Sequence, residues 1–194
     1  MKKSFIGILT FLAILLILTI GVLYLSLINV PRVIPSKRIK KLLGHLSNKT
    51  GSNIVNLITM SLKLLHNLKW EFDIPDDVDT NSWYIAISNH QSWADIFILL
   101  VAANYKLPLL KFFMKRELWW IPFVFLANKT LNMPFVNRHS KKEIEQNPSL
   151  RNQDYKNTLK SCKRFLRTPS TIFSYAEGTR FTDEKHDQQG SPYN

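Results

Sequence analysis

The stretch Ser88-Asn89-His90-Gln91-Ser92-Trp93-Ala94-Asp95 stands between two apolar runs, Trp83 to Ile87 and Ile96 to Ala103. It reads as strand, turn, helix. Trp83-Tyr84-Ile85-Ala86-Ile87 has the aromatic and β-branched content of a short buried strand, and Ser92 with Asp95 three residues on has the spacing of a capping box that opens a helix. His90 then falls at the strand's end. An aspartate five residues later, in the first helical turn, can hold one imidazole nitrogen while the other faces outward, which is a base with its orienter. Two plainer readings stand beside this one: His90 as a hydrogen-bonded turn histidine, and Asp95 as an N-terminal helix residue favoured by the helix dipole.

Further along, a second strand-like run, Thr171-Ile172-Phe173-Ser174-Tyr175, leads into Glu177-Gly178-Thr179-Arg180. Between the two lie more candidate elements. Leu107 to Met114 reads as a strand, Met133 to Val136 as a short one, and Trp70 to Ile74 as another ahead of the first. From Pro148 to Thr168, Tyr155, Leu159, Cys162, Phe165 and Leu166 form one apolar face of a surface helix that Pro169 ends. Strands alternating with crossovers of helical length predict an α/β sheet with helices packed on it. Parallel strands would bring the ends after His90 and Tyr175 to one edge, although some ninety residues separate them. No Gly-rich nucleotide loop appears.

The N-terminal third is of another kind. Phe5 to Ile28 is a charge-free run of 24 residues, long enough as a helix to cross a hydrocarbon core of about 30 Å. Residues 1 to 50 carry Lys2, Lys3, Arg32, Lys37, Arg38, Lys40, Lys41 and Lys49 and no acid. The excess downstream of the span places the C-terminal part in the cytoplasm, for a single pass or for a shallow hairpin. A formal charge of +12 calls for a negatively charged partner. Charges bracketing an apolar span select anionic lipid over nucleic acid, which would be met by a basic, aromatic-laced soluble face. Ile54, Leu57, Ile58, Ser61, Leu62, Leu65 and Leu68 fall at helical spacing and predict an amphipathic helix, after a basic connector broken by Pro31 and Pro35. The expected organisation is therefore 1–30 anchor, 31–69 connector and amphipathic helix, and 70–194 α/β domain. Cys162 is the only cysteine, so neither an internal disulfide nor a zinc cage of cysteines is available, and it reads as a packing residue.

NHQSWADI, FMKRELWWIPF, MPFVNRHS and EGTRFTDEKH, in that order, resemble the glycerolipid acyltransferases related to 1-acylglycerol-3-phosphate acyltransferase. The likeness is strongest to the membrane-bound branch that includes lysocardiolipin acyltransferase-like proteins, and it runs from about Trp70 to the last residue. It implies transfer of a fatty acyl group from a coenzyme A or acyl-carrier-protein thioester to the free hydroxyl of a lysophospholipid, in phospholipid synthesis or remodelling. By resemblance His90 is the general base and Asp95 fixes its tautomer. Lys115, Arg138 and Arg180 hold the acceptor's phosphate, Gly178 allows close backbone approach, Thr179 donates a further bond, and Glu177 pairs with an arginine or the glycerol. No permanently bound cofactor or metal is implied. The acyl thioester is a co-substrate, and the partners are membrane lipids and the lysophospholipid, with no nucleic acid.

The chain departs from the family pattern at Phe125, Asn132, Asn137 and Ala176, none of them a proposed catalytic group. Relatives continue past Asn194 with a fourth, proline-containing element and further strands, so the resemblance also implies a domain cut short. The alternative it leaves is an inactive, membrane-bound lipid-binding fragment.

Overall fold

The computed structural model describes residues 2–92, 94–115, 120–133, 135–136, 139, 141–163, 165–175, 181–182 and 184. The apolar N-terminal run forms α1, Lys2–Ile28, with a 25-residue segment long and apolar enough to cross a membrane. Pro31 sits in the 3-10 turn Val30–Val33, and the chain then reverses into α2, Lys37–His66. Ser36 caps α2 by accepting a bond from the Ile39 N–H, and Asn67 closes it in the left-handed region at φ 50°, a conformation asparagine tolerates better than most residues.

α2 is longer than the predicted amphipathic helix, because the basic connector is helical from Lys37 onward. It runs back along α1. Thr10 Oγ1 meets His66 Nε2 at 2.7 Å, Gly21 abuts Ile54, and the Asn29 amide donates to Ser47 Oγ at 2.9 Å. As one number rises the other falls, so the two helices form an antiparallel hairpin. Two glycines let α2 press against its neighbours. A Cβ at Gly21 would lie 2.5 Å from Ile54 Cδ1, and one at Gly44 2.8 Å from Thr168 Cγ2. The C-terminal end of α1 belongs to the protein core: Leu25 is buried with Leu109 and Leu131, and Ile28, Ile54 and Met133 pack on them. The rest of α1 shows a largely exposed apolar surface, including Phe5, Ile8, Phe11, Leu12 and Leu16.

The α/β part begins with β1, Tyr84–Ser88, followed by α3, Ala94–Lys106, and β2, Leu110–Phe112. β3, Met114–Lys115, pairs in parallel with β4, Phe135–Val136, across α4, Pro122–Leu131. α5, Lys141–Gln146, and α6, Ser149–Cys162, lead to a 3-10 turn, Phe165–Arg167, and to β5, Thr171–Tyr175. The main sheet has the order β1-β5-β2 and is parallel throughout. Ala86, Phe173 and Phe112 share a register row and one face, which α3 covers through Leu99, Leu100 and Ala103. On the other face Ile85 and Ile87 are exposed, whereas Lys111 is fully buried.

Three further expected elements differ. The helix expected from Pro148 to Thr168 ends at Cys162, and Phe165–Arg167 form a separate 3-10 turn. Trp70 to Ile74 is not a strand: Trp70 stacks on Phe72, and Phe72 lies 6.0 Å from the Tyr105 ring, so these aromatics pack toward α3. Leu107 to Met114 is not one strand but two pieces that join different sheets, β2 in the three-stranded sheet and β3 in the two-stranded one.

Candidate active site

Parallel β1 and β5 are in register from Tyr84↔Thr171 to Ser88↔Tyr175, so both strands end at the same edge. His90 lies two residues beyond Ser88. Its ring stacks on Tyr175, with centroids 4.0 Å apart and planes 17° from parallel, and its carbonyl accepts the Phe181 N–H at 2.7 Å. Tyr175 and Phe181 flank residues 176–180. The described residues on either side of the Glu177-Gly178-Thr179-Arg180 motif thus both touch His90, while those four residues lie outside the described ones.

Asp95, in the first turn of α3, folds back on the loop that carries His90. Its Oδ2 lies 3.1 Å from His90 Nδ1 and also accepts the Gln91 N–H at 2.7 Å and the Ser92 N–H at 2.8 Å. The Ser92 and Gln91 N–H groups, with a smaller part from His90, hold the Asp95 carboxyl below its ordinary value. An ionised carboxylate can only accept hydrogen bonds, so Nδ1 is the protonated nitrogen and Nε2 carries the lone pair. Ser92 Oγ accepts the Ala94 N–H at 3.1 Å, and its own N–H goes to Asp95, so the predicted capping box is present with the serine bonded one residue earlier than the motif's usual N–H. The side chains of His90 and Asp95 are 13 % and 22 % exposed, shielded but reachable.

The remaining predicted residues are brought together unevenly. Lys115 pairs with Val136 in the β3–β4 register, which sets its backbone beside the strand leading to Arg138. Arg138 and the side chain of Lys115 lie outside the described residues. Trp120 and Phe123 are exposed, and Trp119 lies outside the described residues. Cys162 is half-buried with its thiol pushed up by burial, which suits packing and not nucleophilic chemistry.

Sequence reasoning missed three features. Tyr175, the wall against which His90 rests, reads in the sequence only as a strand residue. Its hydroxyl is buried without a hydrogen-bond partner among the described residues, and burial, then the Asp95 charge, raises its pKa. Lys111 is fully buried on β2, its ammonium 5.8 Å from the Phe165 ring; burial and the Arg32 charge lower its pKa to about 8. His139 and Asp154 form a second histidine–aspartate pair, in which Oδ1 meets Nδ1 at 3.0 Å and Oδ2 accepts the His139 N–H at 3.0 Å. The alternation of apolar residues marks Tyr175 as inward-facing, but nothing in sequence spacing signals the other two.

A family model described as Acyltransferase matches residues 69–191, more than half of the chain. No curated protein and no solved structure matches it.

Proposed function

Because the chain belongs to the acyltransferase family, we propose that it moves a fatty acyl group from an acyl thioester to the free hydroxyl of a lysophospholipid. The observation that carries this reading is the His90–Asp95 pair, set at the C-terminal edge of the parallel sheet within the matched region. Nε2 of His90 takes the proton from the acceptor hydroxyl as its oxygen attacks the thioester carbonyl. The tetrahedral intermediate collapses, an ester bond forms, the carbon–sulfur bond breaks, and the proton leaves with the thiol. Asp95 holds the imidazole by Nδ1 and balances the imidazolium while it exists. No acyl-enzyme is required. Ser92, whose hydroxyl and N–H are both engaged in the turn, stays structural.

Lys115, Arg138 and Arg180 are assigned to the acceptor's phosphate, with Gly178, Thr179 and Glu177 shaping that end of the site. Coenzyme A and acyl-carrier-protein thioesters both fit the donor role. The acyl chains come from the bilayer. α1 and α2 pack side by side, and α2 carries Lys49, Asn53, Asn56 and Lys63, so an upright α1 would drag polar groups into hydrocarbon. A hairpin lying in one leaflet, with the catalytic domain on the cytoplasmic side, satisfies both helices better than a single pass. Exposed Trp120 and Phe123 suit a lipid-facing entrance.

The test is turnover of labelled acyl-CoA by the purified chain in mixed micelles against a panel of lysophospholipids. A diacyl phospholipid product that depends on His90 is expected. Product formed equally by the parent and by His90→Ala, or binding of lysophospholipid with no turnover at all, would overturn the reading.

A further inference from the structure

At the turn of the helical hairpin, a cavity of about 450 Å³ is lined by Pro35, Lys37, Lys40, Lys41 and Arg167. Three of the cations come from the first turns of α2 and the fourth from the 3-10 turn before β5, some 130 positions away in sequence. No acid lines the cavity, Glu71 is the first acidic residue in the chain, and none of the four cations has an ion-pair partner among the described residues. The fold forces this meeting. Gly44 lets α2 approach Thr168 so closely that any side chain there would collide, and the Asn48 amide donates to the Pro169 carbonyl at 3.0 Å. These contacts clamp the 165–170 segment onto α2 and set Arg167 beside Lys40 and Lys41.

Four like charges around a concavity roughly 10 Å across are separated by no more than about one screening length, which is about 8 Å at physiological salt and about 10 Å at 0.1 M, so their fields add and a bound anion relieves their repulsion. The cavity does not belong to the catalytic edge. The clamped segment precedes β5, whereas His90 contacts the residues after it, and a five-residue strand of roughly 16 Å runs between them. The surroundings identify the anion's source. Val30, Val33, Ile34 and Leu42 on the hairpin and Leu166 beside Arg167 are exposed apolar side chains, Val33 by 85 % and Leu166 by 74 %. Cations ringed by bare aliphatic residues fit a membrane surface, with the alkyl groups in the acyl boundary and the charges at phosphate depth.

We propose that this cavity binds the phosphate-bearing headgroup of an anionic diacyl phospholipid, tying the hairpin and the sheet domain to the bilayer at a site separate from catalysis. The inference rests on the membrane part of the function proposed above and is independent of acyl transfer.

The experiment uses the full chain purified in neutral detergent and follows its melting temperature against short-chain phosphatidylglycerol, phosphatidylcholine and inorganic phosphate. Phosphatidylglycerol should stabilise the protein saturably and phosphatidylcholine should not. Lys41→Gln with Arg167→Gln should weaken the apparent affinity about 25-fold, at about fivefold for each charge near an anionic surface. Both side chains are exposed, so the fold should survive, and Lys37→Gln with Lys41→Gln serves as a second variant. Lys156→Gln with Lys160→Gln on α6 removes equal charge elsewhere and should leave the phosphatidylglycerol affinity unchanged, as should His90→Ala. Absence of stabilisation by phosphatidylglycerol, equal loss in the α6 control, or an unchanged affinity in both cavity variants would overturn the proposal. So would inorganic phosphate reproducing the whole effect at matched concentration, which would identify a free-phosphate site. Loss of turnover in His90→Ala with the lipid shift intact separates this site from the catalytic reading.

Discussion

Two histidine–aspartate pairs occur in one chain with nearly the same internal chemistry. In each, a carboxylate held below its ordinary pKa engages Nδ1 at about 3 Å and also accepts backbone N–H, two for Asp95 and one for Asp154. Their surroundings differ. His90 sits at the end of a parallel sheet, stacked on Tyr175 and bonded to the residue that follows the 176–180 segment. His139 follows the two-residue strand β4 and is fastened to Asp154, on the surface helix α6. A histidine–aspartate pair is therefore a way of fixing an imidazole and its loop, and the proposed function assigns chemistry to the one at the sheet edge. At His90 the 88–92 loop, the first turn of α3 and the two flanks of residues 176–180 converge; at His139 the same kind of bond fastens a connection to a helix.

The largest effect that tests this contrast is removal of the base. His90→Ala should lower kcat by about 10²–10⁴, the usual worth of general-base help, while binding of the lysophospholipid largely survives. Asp95→Asn should lose less, because the Ser92 and Gln91 N–H groups still have an oxygen to bond and the loop keeps its shape. Steady-state kinetics with direct binding measurements read both. Should His139→Ala abolish turnover while His90→Ala stays within twofold of the parent, the assignment of the two pairs is reversed.

How much of this was legible in sequence depends on range. β1 and β5 were placed to within one residue because their runs of β-branched and aromatic residues are short and clearly bounded. The His90–Asp95 contact was legible for the same reason, since five residues across a strand-to-helix turn leave little freedom. His139 and Asp154 lie fifteen apart across α5, and two polar residues at that separation carry no periodic cue. Lys111 was invisible because lysine is rarely buried, and only the tertiary fold closes over it. The helical stretch from Lys37 to Thr50 looked like a basic connector because its anchoring contacts, Gly44 with Thr168 and Asn48 with Pro169, reach across more than a hundred residues. Trp70 to Ile74 has strand composition but spends its aromatics on packing toward α3, where tertiary contact overrides local preference.

A second effect tests the acceptor end proposed for the first site. Arg180 belongs to the segment whose flanks touch His90, and a desolvated phosphate needs a cationic partner. At roughly 1.5–3 kcal/mol for hydrogen bonds to charged groups, Arg180→Ala should lower acceptor kcat/KM by about 10- to 150-fold and leave the acyl donor nearly unaffected. Arg180→Lys should recover part of the loss, since charge remains and the paired geometry does not. Equal loss for both substrates together with a lowered melting temperature would instead make Arg180 a loop-shaping partner of Glu177.

The smallest effect is expected at the second pair, and its pH dependence gives the cleanest reading. Burial pulls the Asp154 carboxyl upward, but the His139 N–H and ring outweigh it, so the folded value lies below the ordinary 3.8. A carboxyl depressed on folding contributes stability that is fully present above the unfolded value and is lost as pH falls through the lower folded value. Asp154→Asn should therefore melt below the parent near neutral pH, by about 2–4 °C if it loses about 1 kcal/mol of hydrogen bonding. That gap should narrow once the pH drops below 3.8, where the parent's own carboxylate begins to protonate. Turnover should stay within a small factor of the parent, because His139 is fastened to α6 and not to the catalytic edge. A fall in kcat of tenfold or more with an unchanged melting curve would mean that the second pair acts in the chemistry after all, and the contrast drawn from their positions would fail.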